Sequence, residues 1–135
     1  SCFKRGSYIR RVKKMTKFAG EKMLMRIHVS ESDKHGHMPL YEALVELFMK
    51  EGFAGATVLR GVAGFGPHLV YHSSKLLDIS KSLPMIVEVV ASEDKVNAVM
   101  PRIDEMMQGG LITLESVRVI RYCDKNDKEC LLHSP

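Results

Sequence analysis

Alternating apolar and polar residues indicate the position of the first strand. Over residues 23–29 every second residue is apolar, and Arg26 and His28 fall between them. A period of two is typical of a strand with one buried face. The segment Pro84–Ala91 is apolar almost throughout, with only Glu88 as a charged residue, which predicts a strand buried on both sides.

Two other segments have the 3.6-residue period of a helix. The first follows Pro39, a residue suited to the first turn of a helix, and ends before Gly52. The second follows Ser92, a predicted N-cap, and ends at Gly109. Pro101 falls inside the second helix and is expected to bend or break it.

The remaining β-prone segments complete the order of elements. Residues 54–62 predict a strand, and residues 111–122 predict a long final strand whose irregular alternation suggests a bulge or a change of partner. The order βαββαβ predicts an α+β ferredoxin-like sandwich, in which an antiparallel sheet carries two helices on one face. The other face of the sheet would need a cover, which predicts a homo-oligomer.

Charge is distributed unevenly along the 135 residues, a length that predicts one domain. Residues 1–22 contain eight Lys or Arg and one acidic residue, whereas residues 23–135 contain 12 basic and 15 acidic residues. We therefore predict a basic, disordered N-terminal extension at 1–22, a domain at 23–122 and a C-terminal tail at 123–135. No apolar run approaches the length of a membrane span.

The cysteine pattern bears on the cellular compartment. Cys2, Cys123 and Cys130 are odd in number and lie near the chain ends, which gives neither a disulfide framework nor a zinc-binding spacing. A bridge between Cys123 and Cys130 stays open as an alternative, but incidental thiols in a reducing cytoplasm are the expectation.

The segment 60–84 is the first candidate for function, because long loops without periodicity are usually functional or disordered. It contains Gly61, Gly64 and Gly66. Glycines can take positive φ values and leave backbone N–H groups uncovered, as a phosphate site requires. The spacing matches neither a P-loop nor a dinucleotide fingerprint, so a strand end with a bulge and a turn remains an alternative.

Several short motifs together resemble the DUF190 (UPF0166) family of PII-like proteins. The resemblance covers residues 23–122. The motifs are Asp33-Lys34 with Pro39-Leu40-Tyr41-Glu42, Gly55-Ala56-Thr57-Val58, Arg60-Gly61 with Gly64-Phe65-Gly66, His72-Ser73-Ser74, Leu83-Pro84 before Glu88-Val89-Val90, Pro101, and Gly110-Leu111-Ile112-Thr113.

The resemblance implies a homotrimer with adenine nucleotides in the clefts between subunits. AMP, ADP and ATP are all candidate ligands, with or without Mg²⁺, and no tightly bound redox cofactor is expected. The implied role is regulatory and not enzymatic: a loop between the second and third strands would report ligand occupancy to a regulated protein or a membrane transporter.

The resemblance also implies roles for individual residues. Gly61, Gly64 and Gly66 would offer backbone donors to phosphate, and Arg60 would add a charge-assisted hydrogen bond. Phe65 would stack on the base or border it. Three weaker candidates complete the set, Lys34 and Arg118 for phosphate and His72 for a ligand contact or for anchoring the loop; for Arg121 a surface charge is the expectation.

Three other functional classes are open. His35, His37, His68 and His72 could assemble a divalent-metal site in a trimer of the cation-tolerance type. The basic extension could bind nucleic acid, but the acidic body makes this the less favoured interpretation. Ser73 or Ser74 beside His72 suggests a nucleophile and base, although no orienting carboxylate is identifiable.

Overall fold

The computed structural model describes residues 15–67, 72–73, 82–124, 126 and 128. The four strands of the main sheet are β1 (Met15–Ser30), β4 (Thr57–Arg60), β7 (Pro84–Ala91) and β8 (Leu111–Asp124). The helices are α1 (Leu40–Lys50) and α2 (Glu93–Met106). Two short ladders join β2 (Lys34–His35) to β3 (Met38–Pro39) and β5 (Ala63–Gly64) to β6 (His72–Ser73).

The strand order β4-β7-β1-β8 confirms the ferredoxin-like prediction. Each neighbouring pair in this sheet is antiparallel. Strand β7 is inserted between β1 and β4, which α1 connects, and this is the arrangement of a split βαβ unit. The boundaries of β7 and α1 agree closely with the apolar patterns in the sequence.

Both helices cover one face of the sheet, and the hydrophobic core lies between the helices and the sheet. Strand β7 alternates between buried and half-buried residues along its whole length. The core side chains from the sheet are Met25, Ile27, Val29, Met85, Val87, Val89 and Ala91, and the helices add Leu40, Leu44, Leu47, Phe48, Val96, Val99 and Ile103. The prediction that both helices lie on one face is therefore confirmed.

The second helix begins at its predicted N-cap and continues unbroken through Pro101. The side chain of Ser92 accepts a hydrogen bond from the backbone N–H of Lys95 at 3.3 Å, as an N-cap should. Pro101 neither ends nor divides α2. Buried Val96 and Val99 before the proline and Ile103 after it anchor both halves of the helix to the same core, which offsets the lost backbone bond.

The first strand is longer than its sequence pattern predicts. Residues 15–22, assigned above to an extension outside the domain, pair with residues 117–124 in an antiparallel ladder. The apolar alternation starts only at Met23, so polar residues in this stretch gave no strand signal. Residues 1–14 lie outside the described residues. The ladder makes a two-stranded ribbon beyond the part of β1 that also pairs with β7.

The last strand also differs from prediction. Its pairing with β1 is regular from Leu111 to Asp124, without the expected bulge or change of partner. Because β8 is an edge strand and most of its residues are exposed, burial does not impose a clean alternation on its sequence. Cys123 is buried and disulfide-bonded, which corrects the expectation of an incidental thiol. Within the described residues, neither helix is long and apolar enough to cross a membrane.

Candidate functional site

Four chain segments meet at one end of the sheet. The strand register places Arg60 opposite Met85 and Ser30 opposite Pro84. The connector after β1, the segment after β4 and the residues before β7 therefore lie side by side. The turn between α2 and β8 reaches the same end, where Gly110 has a φ of 92° and packs against the backbone carbonyl of His28.

The connector residue Glu31 ties two of these segments together. The Arg60 guanidinium donates a hydrogen bond to Glu31 Oε1 and forms an ion pair with it. Glu31 Oε2 accepts a hydrogen bond from the backbone N–H of Leu83 at 3.3 Å. The backbone N–H of Glu31 in turn donates to the Leu83 carbonyl at 2.9 Å. One residue thus contacts both the end of β4 and the residue before β7.

This ion pair changes the acidity of both partners. The hydrogen bond from Arg60 lowers the pKa of Glu31, with partial desolvation opposing the shift and the Leu83 N–H reinforcing it. The same hydrogen bond raises the pKa of Arg60. Glu31 is therefore held as a carboxylate and Arg60 as a guanidinium. Arg60 remains 59% exposed, so an anion from solvent can reach it.

Gly61 and Gly64 after β4 have a packing role that the sequence does not reveal. Gly61 and Gly64 do not have positive φ values. A Cβ at Gly61 would lie 2.5 Å from Pro84 Cγ, and one at Gly64 would lie 3.2 Å from the same atom. The Gly61 N–H is not uncovered, because it donates to the Pro84 carbonyl at 2.8 Å. These two glycines let the strand end pack closely on Pro84.

The other predicted residues are only partly brought together here. Lys34 is exposed and lies in the connector that holds Glu31. Phe65 is 67% exposed beyond Gly64, and a Cβ at Gly66 would meet nothing within 4 Å. The backbone of His72 pairs with Gly64, while its side chain is outside the described part of the structure.

Arg118 lies far from this end of the sheet within one protomer. It pairs with Glu21, nine residues before Ser30 along β1, which corresponds to roughly 30 Å of strand. A site within one copy of the chain therefore cannot use both Arg118 and Arg60. The sequence favoured Arg118 over Arg121, but in the structure it is Arg121 that lines a cleft.

Arg121 lines an open cleft of about 300 Å³ beside the middle of the sheet. The lining of the cleft combines apolar side chains with polar groups. One of those groups, Glu88, accepts a hydrogen bond from Arg26 Nε at 3.0 Å. The lining residues are Ala54, Gly55, Thr57, Glu88, Val89, Val90, Val119 and Arg121.

Glu31 and the cleft were both missed from the sequence. Residue 31 is one of several acidic residues that follow apolar segments, and nothing local connects it to Arg60. The contact between Glu31 and Arg60 can be predicted only once the strand order is known, because the ends of β1 and β4 then lie on either side of the start of β7. The cleft needs residues from three strands and the α1–β4 connection, so no single motif marks it.

Of the four histidines in the metal alternative, the structure describes the side chains of His35 and His37. His35 at the end of β2 and His37 in the β2–β3 turn are both exposed, and His68 lies outside the described residues. Among the residues that the structure describes, no group of three or more His, Cys, Asp or Glu side chains could hold a metal ion.

Comparison with solved structures defines the class of fold as PII-like. CPII of Thiomonas intermedia K12, a nitrogen regulatory PII-like protein solved bound to ADP, AMP and bicarbonate, matches with a TM-score of 0.54 and 16% identity over 77% of this chain and 92% of CPII. A putative PII-like signaling protein of Thermus thermophilus matches with a TM-score of 0.52 and 19% identity, over 76% of this chain and 91% of that one.

Sequence comparison identifies the family. Residues 22–119 match the DUF190 family, described as "Uncharacterized ACR, COG1993". A UPF0166 protein of Aquifex aeolicus is 38% identical over 74% of this chain and 94% of its own length. A UPF0166 protein of Methanocaldococcus jannaschii is 30% identical over 73% of this chain and 91% of its own length. This chain belongs to the DUF190 (UPF0166) family, as its motifs indicated.

Proposed function

We propose that this chain is a PII-like regulatory protein that binds an adenine nucleotide between the subunits of a homotrimer. The observation that carries the proposal is the exposed guanidinium of Arg60 at the point where the connector, β4 and β7 converge. A guanidinium matches the geometry of phosphate oxygens. The PII-like relative CPII, which shares the fold, was solved with ADP and AMP bound.

The cleft near Arg121 supplies a second surface for the same ligand. Its apolar lining residues suit a heteroaromatic base, and the Thr57 hydroxyl and the Glu88 carboxylate in the same lining are hydrogen-bonding groups. The cleft and Arg60 lie at opposite ends of the short strand β4. We assign the phosphates to the Arg60 end of one subunit and the base to the cleft of a neighbouring subunit.

The segment between β4 and β7 is the element we assign to signalling. Its first residues expose Val62 and Phe65, with 76% and 67% of their surfaces accessible. Exposed apolar side chains beside a ligand site suit contact with another protein. A regulated protein or a membrane transporter is the proposed partner, and ligand occupancy is the information it would receive.

Calorimetric titration with AMP, ADP and ATP, with and without Mg²⁺, tests the nucleotide role. We expect saturation near one nucleotide per subunit. Arg60→Ala should weaken binding by about tenfold or more, because a charge-assisted hydrogen bond to phosphate is lost. Arg102→Ala is the matched control, since Arg102 is similarly exposed and pairs with Glu51 away from this site. Equal affinity for wild type and Arg60→Ala would contradict the assignment.

A second pair of variants tests the cleft. Val119→Trp should fill the cleft and weaken nucleotide binding by about tenfold or more, since a bulky ring would occupy the space assigned to the base. Ile120→Trp is the control, because Ile120 lies on the opposite face of β8 and is not among the residues that line the cleft. Light scattering should give three times the 15.2 kDa chain mass for both variants. Equal loss in both would contradict the assignment of the base.

A further inference from the structure

We propose that Glu31 competes with the ligand's phosphate for Arg60, so that ligand binding releases the carboxylate that ties β4 to β7. The proposal rests on the proposed function, because it concerns the regulation of the same site. Glu31 acts through Arg60 and is a positioning residue. Its competing role would link occupancy of the site to the two ends of the segment that we assign to signalling.

The contacts of Glu31 support this role because its two carboxylate oxygens have different partners. Oε1 accepts from Arg60 at the end of β4, and Oε2 accepts from the Leu83 N–H before β7. Because one carboxylate binds both ends of the β4–β7 connection, ligand binding at Arg60 would change the hydrogen bond at Leu83. The backbone bond from Glu31 to the Leu83 carbonyl does not involve the carboxylate, so it can persist.

The exposure of the pair makes an exchange of partners possible. Arg60 is 59% and Glu31 is 29% exposed, and exposed ion pairs contribute little to stability. A guanidinium binds carboxylate and phosphate through the same fork of N–H groups. A phosphate monoester carries about 1.5–2 negative charges near neutral pH, more than one carboxylate. The phosphate therefore has the advantage at Arg60, and the released carboxylate can be solvated.

Neighbouring bonds show what would remain in place after the exchange. The Ser32 N–H donates to Ser82 Oγ at 3.0 Å, and the Ser30 N–H donates to Asp33 Oδ2 at 2.8 Å. The Gly61 N–H keeps its bond to the Pro84 carbonyl. None of these bonds needs the Glu31 carboxylate. We therefore expect a local change at Leu83 and Arg60 without loss of the sheet.

The first test compares the affinity of wild type and Glu31→Gln for ADP. Glutamine keeps the shape of the side chain and an acceptor for Leu83 but cannot form the ion pair. If Glu31 competes with phosphate, Glu31→Gln should bind ADP about 2–5-fold more tightly, the range expected from an exposed ion pair. The control is Glu51→Gln, which removes the Arg102 pair between the helices and should leave the affinity unchanged. A residue that only supports the fold would not increase affinity when altered.

The second test follows amide hydrogen exchange at Leu83. ADP should raise the exchange rate of this amide several-fold in wild type, because the carboxylate that accepts its hydrogen bond is released. Arg60→Ala should raise the rate without ADP, since the carboxylate then loses its other partner. If wild type binds ADP but Glu31→Gln binds no more tightly, the competition is refuted and the proposed function stands. If wild type binds no nucleotide, both proposals are refuted.

Discussion

The helix-covered face of the sheet and the β4–β7 end of the sheet are held together by different physics. On the covered face, side chains such as Ile27, Leu44 and Val87 are completely buried in the core between the sheet and the helices. At the β4–β7 end, the exposed ion pair between Glu31 and Arg60 and a few backbone and side-chain hydrogen bonds join the described segments. Stability therefore resides mainly in the first region, and changes in the second can affect binding without unfolding the protein.

The helix-covered side is also reinforced where α1 ends. The rings of Phe48 and Phe53 lie 4.9 Å apart at an interplanar angle of 60°. Lys95 of α2 donates to the Gly52 carbonyl at 2.7 Å, and its ammonium lies 5.5 Å from the centre of the Phe53 ring. Several independent contacts thus stabilise the end of α1, whereas the side chain of Arg60 at the end of β4 is held by its ion pair with Glu31. The predictions below test this contrast.

The largest effect should come from the covered face. Phe48→Ala removes a fully buried ring from the core and should lower the free energy of unfolding by about 3–5 kcal/mol. Val62→Ala, at an exposed residue after β4, should change it by less than about 0.5 kcal/mol. Urea denaturation measures both. Similar losses for the two variants would mean that stability is not concentrated in the helix-covered region.

The next largest effect should come from the close approach of Gly61 to Pro84. Gly61→Ala places a methyl group 2.5 Å from Pro84 Cγ and 3.2 Å from the Pro84 carbonyl oxygen, and the neighbours must move. We expect a loss of about 1–3 kcal/mol in unfolding free energy. Gly66→Ala, where a Cβ meets nothing within 4 Å, is the matched control. If Gly61→Ala is as stable as wild type, the packing account of this glycine is wrong.

The third effect concerns the N-cap of α2. Ser92→Ala removes the acceptor for the Lys95 N–H and should cost about 1 kcal/mol in unfolding free energy. Ser116→Ala, at an exposed serine of β8, is the control and should be close to neutral. Thermal unfolding of both variants provides the comparison. A neutral Ser92→Ala would show that packing alone fixes the start of this helix.

The sequence predicted the elements whose burial is visible in their own pattern. Every second residue of β7 is buried beneath the helices. The apolar run in the sequence, Pro84–Ala91, has the same boundaries as the observed strand. Pro39 and Gly52 correctly indicated the limits of α1. The first half of β1 could not be predicted, because backbone hydrogen bonds to β8 stabilise it. Backbone hydrogen bonds do not require an apolar alternation in the sequence.

The candidate site was only partly predictable for a related reason. Arg60, Gly61 and Gly64 were found because they form a local motif, and the structure places all three beside Pro84 or opposite its neighbour Met85. Glu31 is 29 residues from Arg60, and their contact depends on the strand order. The close packing of Gly61 could not be predicted, because it arises from Pro84, a residue distant in sequence, and not from the φ angle of Gly61.

The smallest predicted effect is the pH dependence contributed by Glu31. Arg60 lowers the pKa of Glu31 in the folded state, so the unfolded protein binds a proton there more readily. The stabilisation by the ion pair is therefore complete above the ordinary glutamate pKa of about 4.3 and is lost as the pH falls through the lowered folded value. Wild type should melt a few degrees above Glu31→Gln at pH 7, and this difference should shrink below about pH 4. Melting curves from pH 3 to 8 measure it, with Glu46→Gln, an exposed glutamate of α1, as the control. A difference that stays constant across the whole range would show that the charge of Glu31 does not stabilise this end of the sheet.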